Sequence, residues 1–281
     1  MLSRAPSGLA GWIHYIGDAE IPVLARTAQR IDALRGDEDD IAPRVLAEVA
    51  LEDPLMSLKV LAHVSRHRPA RMVTDTETVT AAIVMMGIST FFKAFSPQTT
   101  VEQHLAGHPG ALAGLQQVLQ RSHRAARFAL GFALHRLDTD AEVIQEAALL
   151  NDFAEALLWC HAPLLALEIQ RRQQADPALR SKQVQMEVLN VELCDLEHAL
   201  MKAWRLPELL QLLTNDRLSR SPRVQNVRLA TALARHSHAG WANAAVPDDV
   251  DAIAGLLNLS AGTVRGMLRE LDETAAAEML D

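Results

Sequence analysis

Residues 41–65, "IAPRVLAEVALEDPLMSLKVLAHVS", read as two amphipathic helices joined at a single step, Asp53-Pro54. Apolar side chains recur at helical spacing on both sides of that step, as they do when one face of a helix is buried. The aspartate can accept the free N–H groups that open a helix. Proline suits the first helical position because its missing N–H would find no partner there. The second helix is then "PLMSLKVLAHV". The same punctuation recurs along the chain. Thr76 or Thr78 can cap "VTAAIVMM", with Gly87 placed to end it in the left-handed conformation. Asp176-Pro177 and Ser221-Pro222 repeat the cap-then-proline device before "ALRSKQVQMEVLNVELCDLEHALMKAW" and "RVQNVRLATALARH", and Ser260 can cap "AGTVRGMLREL". The run Asp37-Glu38-Asp39-Asp40 reads as a solvated loop that favours the next helix N-terminus. No segment shows strand alternation, and Ala and Leu dominate over Val, Ile and aromatics. The spacing predicts an all-α protein.

Bulk properties exclude several classes. The 281 residues are 49% hydrophobic and 22% charged, as in ordinary globular proteins. A chain of this length can bury roughly 75% of its unfolded surface, so stability requires neither a disulfide nor a metal. The formal net charge of −8 argues against a nucleic-acid scaffold or an anionic membrane as the main partner. Cys160 and Cys194, the only cysteines, fall in apolar helical surroundings and read as buried, inert thiols. The N-terminus lacks the sustained apolar core of a signal peptide. No window offers about 20 uninterrupted apolar residues for a membrane span; the best, 147–167, is broken by Asn151, Asp152, Glu155 and His161. A cytoplasmic protein with no membrane partner is expected.

Three segments in order carry a family resemblance. "IPVLARTAQRIDAL" (21–34) leads into 41–65 with its acidic-Asp-Pro step; "TVTAAIVMMGISTFFKAF" (78–95) contains a hydrophobic-Gly step; "AWRLPELL" (203–210) holds a Trp-x-Leu-Pro turn. Together they resemble the HDOD family, bacterial regulatory domains related to the HD phosphohydrolases. The resemblance implies an N-terminal helical bundle (1–110) packed on a degenerate HD-like helical core (111–240), followed here by a C-terminal helical hairpin (241–281). Its catalytic relatives build a metal centre from a His, a His-Asp pair and a later Asp. In this chain His123 falls at the first position, Asn151-Asp152 stands for the His-Asp pair, and Thr231 replaces the last Asp. Leu193 and Glu197 stand where the family has His and Gly, and Asn215-Asp216 where it often has a His pair.

The chemistry of those replacements decides what the resemblance implies. Imidazole is a good σ donor to a transition metal, whereas Asn offers a neutral carbonyl oxygen, and Asp to Thr removes a full negative charge. His123 and Asp152 alone supply one anionic ligand, too few for a dinuclear centre or for acidifying a bound water. The expectation is a degenerate pocket of His123, Asn151, Asp152 and Thr231 with no metal, no cofactor and no catalytic residue. Arg124 or Arg127 would then pair with Asp152. The protein would be a non-enzymatic signal-transduction protein acting through a signalling or regulatory protein partner, by resemblance in a cyclic-dinucleotide or other nucleotide-signalling pathway.

Two alternatives stay open. One is a divergent metal-dependent phosphohydrolase or phosphodiesterase that recruits Glu155 or His161. The other is a DNA-binding regulator using "DDVDAIAGLLNLSAGTVRGMLREL" (248–271) as a helix-turn-helix, with Arg265 and Arg269 on phosphates; the surrounding acidic residues oppose it. The same residues otherwise form a hairpin packed through Ile253, Leu256, Leu257, Leu259, Val264 and Leu268. His63/His67 and His104/His108 have metal-like spacing but no acidic or thiol companion. Cys160 and His161, adjacent on a helix, point about 100° apart and do not form a nucleophile–base pair. Trp159 and Trp204 read as core, and Trp241 as closing the C-terminal hairpin.

Overall fold

The computed structural model describes residues 2–38, 40–68, 76–176, 179–215, 218 and 220–278; Asp39 of the acidic run, Pro177 and Asp216 lie outside the described residues. In chain order the helices are α1 (Gly8–Gly17), α2 (Ala25–Leu34), α3 (Pro43–Leu51), α4 (Pro54–Arg66), α5 (Val79–Met86), α6 (Ile88–Phe95), the one-turn α7 (Val101–His104) and α8 (Pro109–His135). Then come α9 (Ala141–Leu150), α10 (Phe153–His161), α11 (Pro163–Ala175), α12 (Ser181–Leu189), α13 (Leu193–Ala203), α14 (Glu208–Leu213), α15 (Pro222–His236), α16 (Val246–Leu257) and α17 (Ala261–Glu278). Among the described residues there is no strand, only a parallel bridge between Val23 and Thr100. The fold is all-α, as the periodicity predicted. No helix among the described residues is long and apolar enough to cross a membrane.

The chain divides into two compact units interleaved in sequence: Met1–Leu119 with Asp152–Glu208, and Gln120–Asn151 with Leu209–Asp281.

In the first unit Asp53 does more than the sequence required of it. It caps its own helix, accepting from the Leu55 N–H at 3.0 Å, with Pro54 in the first turn of α4. Its second oxygen accepts from the Leu24 N–H at 2.8 Å, at the start of α2. The Thr27 hydroxyl and the Met56 N–H also donate to it. Burial pushes its carboxyl above the usual carboxylate range, and these four donors pull against that shift. Glu102 takes the next α2 donor, the Ala25 N–H, at 2.9 Å. Two buried indoles tie distant turns together: Trp12 Nε1 donates to the Leu189 carbonyl and Trp204 Nε1 to the Gly17 carbonyl, both at 2.8 Å. At Gly114 of α8 the ring of Trp159 comes so close that a Cβ would stand 2.5 Å from it.

Local punctuation is largely as read. Thr78, not Thr76, caps α5 through the Ala81 N–H, and Ser260 accepts from the Thr263 N–H. Ser221 occupies the N-cap of α15 without a side-chain bond. Gly87 takes a positive φ of 80° but with ψ 154°, an extended glycine conformation rather than the expected left-handed helical one. The single helix expected over 178–204 is two. Asn190 ends α12 in the left-handed region, and the Leu189 carbonyl beside it turns to Trp12 instead of continuing a helix. The Trp-x-Leu-Pro turn closes α13 as a Schellman motif: Arg205 sits at φ 56°, with Leu206 N–H bonded to the Met201 carbonyl and Arg205 N–H to the Lys202 carbonyl. Cys194 is exposed, correcting its expected burial. The inward stripe of α13 is Leu193, Leu196, Glu197, Leu200 and Met201, and Cys194 falls outside it.

In the second unit α15 packs against α9 and α16, and α16 against α17. Asn226 of α15 donates to the Ala129 carbonyl of α8 at 3.1 Å. Arg124 clamps α17 with two bonds to Asp272 (2.9 and 2.7 Å) and also donates to Ser237. His236 and Asp249 join α15 to α16 at 2.7 Å.

Asp53→Ala leaves buried N–H groups of two helices unsatisfied and is expected to cost about 3 kcal/mol, measured as a lower urea midpoint. Gly114→Ala forces a methyl into the Trp159 ring and is expected to cost about 2 kcal/mol by the same assay.

Candidate functional site

The four residues of the expected pocket occupy helix ends and helix faces. His123 lies half-buried on α8, and Asn151 is the half-buried C-cap of α9, its N–H directed at the Ala148 carbonyl. Thr231 lies on α15, 4% exposed. These three belong to the second unit, where α15 packs against α9 and bonds to α8. Asp152, 5% exposed, opens α10 and belongs to the first unit. Its backbone carbonyl accepts from the Ala156 N–H at 3.1 Å, while its carboxylate makes no cap bond to α10. Arg124, a suggested partner for Asp152, gives its guanidinium to Asp272 and Ser237.

The donor chemistry of this set is lopsided. Thr231 presents a neutral hydroxyl, buried, with no hydrogen-bond partner among the described residues. A hydroxyl in such a place is a weak ligand that brings no charge to offset a cation. Among the described residues no group of three or more His, Cys, Asp or Glu is arranged to hold a metal ion.

Two of the competing histidines, His67 and His104, turn a ring nitrogen to a backbone carbonyl. His67 Nδ1 sits 2.8 Å from the His63 carbonyl, and the two rings pack 4.2 Å apart. His104 Nε2 lies 3.1 Å from the Cys160 carbonyl, and the Tyr15 hydroxyl donates to the His161 carbonyl at 2.8 Å. Cys160 is fully buried, and burial pushes its thiol far above the range in which a thiolate forms. The His161 Nε2 is buried with no hydrogen-bond partner among the described residues, so it does not serve Cys160 as a base.

The C-terminal hairpin adds a feature that the sequence reading did not assemble. Ile253, Leu257, Val264 and Leu268 are buried as expected, while Leu256 and Leu259 are half-buried. Arg265 and Arg269 are exposed, one turn apart on α17, and line a cleft with Trp241 and the start of α16. Trp241 precedes Arg265 by 24 positions, and no spacing rule links them.

Burial, reinforced by the neighbouring His104, holds the His161 imidazole at a pKa of about 4 against an ordinary 6.5. Below pH 6.5 the unfolded chain takes up a proton that the folded chain refuses until about pH 4. Stability is therefore expected to fall as pH drops through that window, by about 3 kcal/mol from this group. Urea melts at pH 7 and pH 5 measure the slope, and His161→Leu should flatten it.

Comparison with solved structures places the fold. The chain is similar to the MmoQ response regulator of Methylococcus capsulatus strain Bath, with a TM-score of 0.66 at 19% identity, covering 89% of this chain and 98% of that one. It is similar to a virulence factor of Campylobacter jejuni, with a TM-score of 0.65 at 17% identity, covering 94% and 99%. No curated protein sequence matches the chain. The profile of the HDOD domain matches residues 21–216, which include the Asp53 lock, the α5–Gly87–α6 step and the Trp-x-Leu-Pro turn. The chain belongs to the HDOD family.

Proposed function

We propose that this HDOD protein is a non-enzymatic regulator that works by binding a signalling or regulatory protein. The donor set carries this reading. At the positions where catalytic HD relatives place a His and an Asp, this chain has Asn151 and Thr231, both neutral. A cation at such a site would lack the charge that holds it and that acidifies a bound water. With no metal-activated nucleophile, binding is the activity left to the fold. The response-regulator name of the Methylococcus structure points towards signalling, and placing the protein in a nucleotide-signalling pathway rests on the family resemblance.

The residue set His123, Asn151, Asp152 and Thr231 is, in this reading, what remains of a dismantled set of metal ligands. Elemental analysis tests it on protein incubated with excess Mn²⁺ and Fe²⁺ and then desalted. The expected result is well under one equivalent of metal, unchanged in His123→Ala, with no hydrolysis of p-nitrophenyl phosphate above the blank. Retention of one or two equivalents that disappear in His123→Ala, together with phosphatase activity, would overturn the proposal in favour of a divergent phosphohydrolase.

A further inference from the structure

A cleft of about 360 Å³ lies in the second unit, between the loop after α15, the first turns of α16 and one face of α17. Its walls differ sharply in chemistry. On one side are Trp241, Val246, Pro247 and Val250; on the other are Arg265 and Arg269. We infer that this cleft is a binding site for a small organic phosphate monoester whose ester group is flat and apolar.

The two arginines supply the first half of the argument. Four residues apart on a helix, they leave the same face with Cβ atoms about 5–6 Å apart. Among the described residues neither makes a hydrogen bond or an ion pair. By contrast Arg124, Arg136 and Arg223 of the same unit are each paired with an aspartate. Each guanidinium can present two parallel donors to one oxyanion. Two positive charges match a phosphate monoester, which carries about −1.5 to −2 at neutral pH, better than they match a carboxylate.

The apolar wall supplies the second half. Trp241 is 38% exposed yet held in place. Phe128 packs against its ring edge-on at 6.4 Å, and the Arg124 guanidinium lies 5.9 Å from the ring centroid. Gly240, at φ 118°, makes the chain reversal that delivers the indole, a conformation that other residues adopt only with strain. Val246 and Val250, which line the same wall, are 6% and 1% exposed and so packed into the unit. An ordered aromatic beside a fixed pair of cations is a recurrent design for a ligand with an apolar body and an anionic head.

The surroundings select against a longer polyanion. Asp248 and Asp251 on α16, and Glu270 and Glu273 on α17, are exposed outside the cleft lining. Duplex DNA gains affinity by neutralising many phosphates across a surface, which these carboxylates oppose; a single phosphate seated between two arginines meets far less of that repulsion.

Isothermal titration of the full chain with 1-naphthyl phosphate tests the site, with 1-naphthol, 1-naphthoate and inorganic phosphate as controls. One saturable site is expected, with each of Arg265→Ala and Arg269→Ala weakening it about tenfold. Naphthoate should bind more weakly than the phosphate ester, and naphthol and inorganic phosphate more weakly still. Ala244→Trp, an exposed lining position, should block the cleft and abolish binding while leaving the thermal midpoint unchanged. Several results overturn the proposal: no saturable binding at millimolar ligand, equal binding of naphthol, or binding that survives both the double arginine variant and Ala244→Trp. Salt-sensitive binding of duplex DNA that requires both arginines, with no binding of the naphthyl ester, overturns it in favour of a nucleic-acid surface.

Discussion

One buried carboxylate organises the start of this fold. Asp53 receives N–H groups from two helices at once, its own at Leu55 and the beginning of α2 at Leu24. Each helix N-terminus carries unsatisfied donors and a partial positive charge, so an anion placed between two such ends satisfies both. The arrangement ties the start of α2 to the start of α4 through one side chain. It also explains why a charged group is tolerated where no solvent reaches. The desolvation penalty is large, and the converging donors counter part of it.

The same logic, with different residues, holds the second unit together. Arg124 and Asn226 link helices whose partners lie far apart in sequence, and the His236–Asp249 pair joins the consecutive helices α15 and α16. Apolar burial alone would let α17 slide along its neighbours, since Val264 and Leu268 make non-directional contacts. A two-pronged bond from Arg124 to Asp272 fixes the register. That register in turn places Arg265 and Arg269 on the face that lines the cleft with Trp241. The clamp and the cleft thus draw on one stripe of one helix, with Asp272 three and seven positions beyond Arg269 and Arg265.

In the proposed reading, function follows from the chemistry that the expected pocket lacks as much as from the fold. By the proposed correspondence, His123 and Asp152 hold two of the ligand positions, while Asn151 and Thr231 contribute no charge. A scaffold of this kind keeps its packing after the ligands change, because burial of α9, α10 and α15 depends on their apolar faces and not on the site.

Sequence alone determined the helical class, the caps at Asp53 and Ser260, the family segments and the neutral character of Asn151 and Thr231, because each of these is written within one or two turns of chain. Tertiary structure decided the rest. It gave Asp53 a second helix to cap, 29 residues away. It broke the expected 178–204 helix at Asn190, where the Leu189 carbonyl found Trp12, 177 residues off. It turned Cys194 outward and brought Trp241 beside Arg265 and Arg269. Local hydrogen bonding has a short sequence period and can be read by eye. A long-range partner is chosen by the packing of the whole unit, and no single segment encodes it.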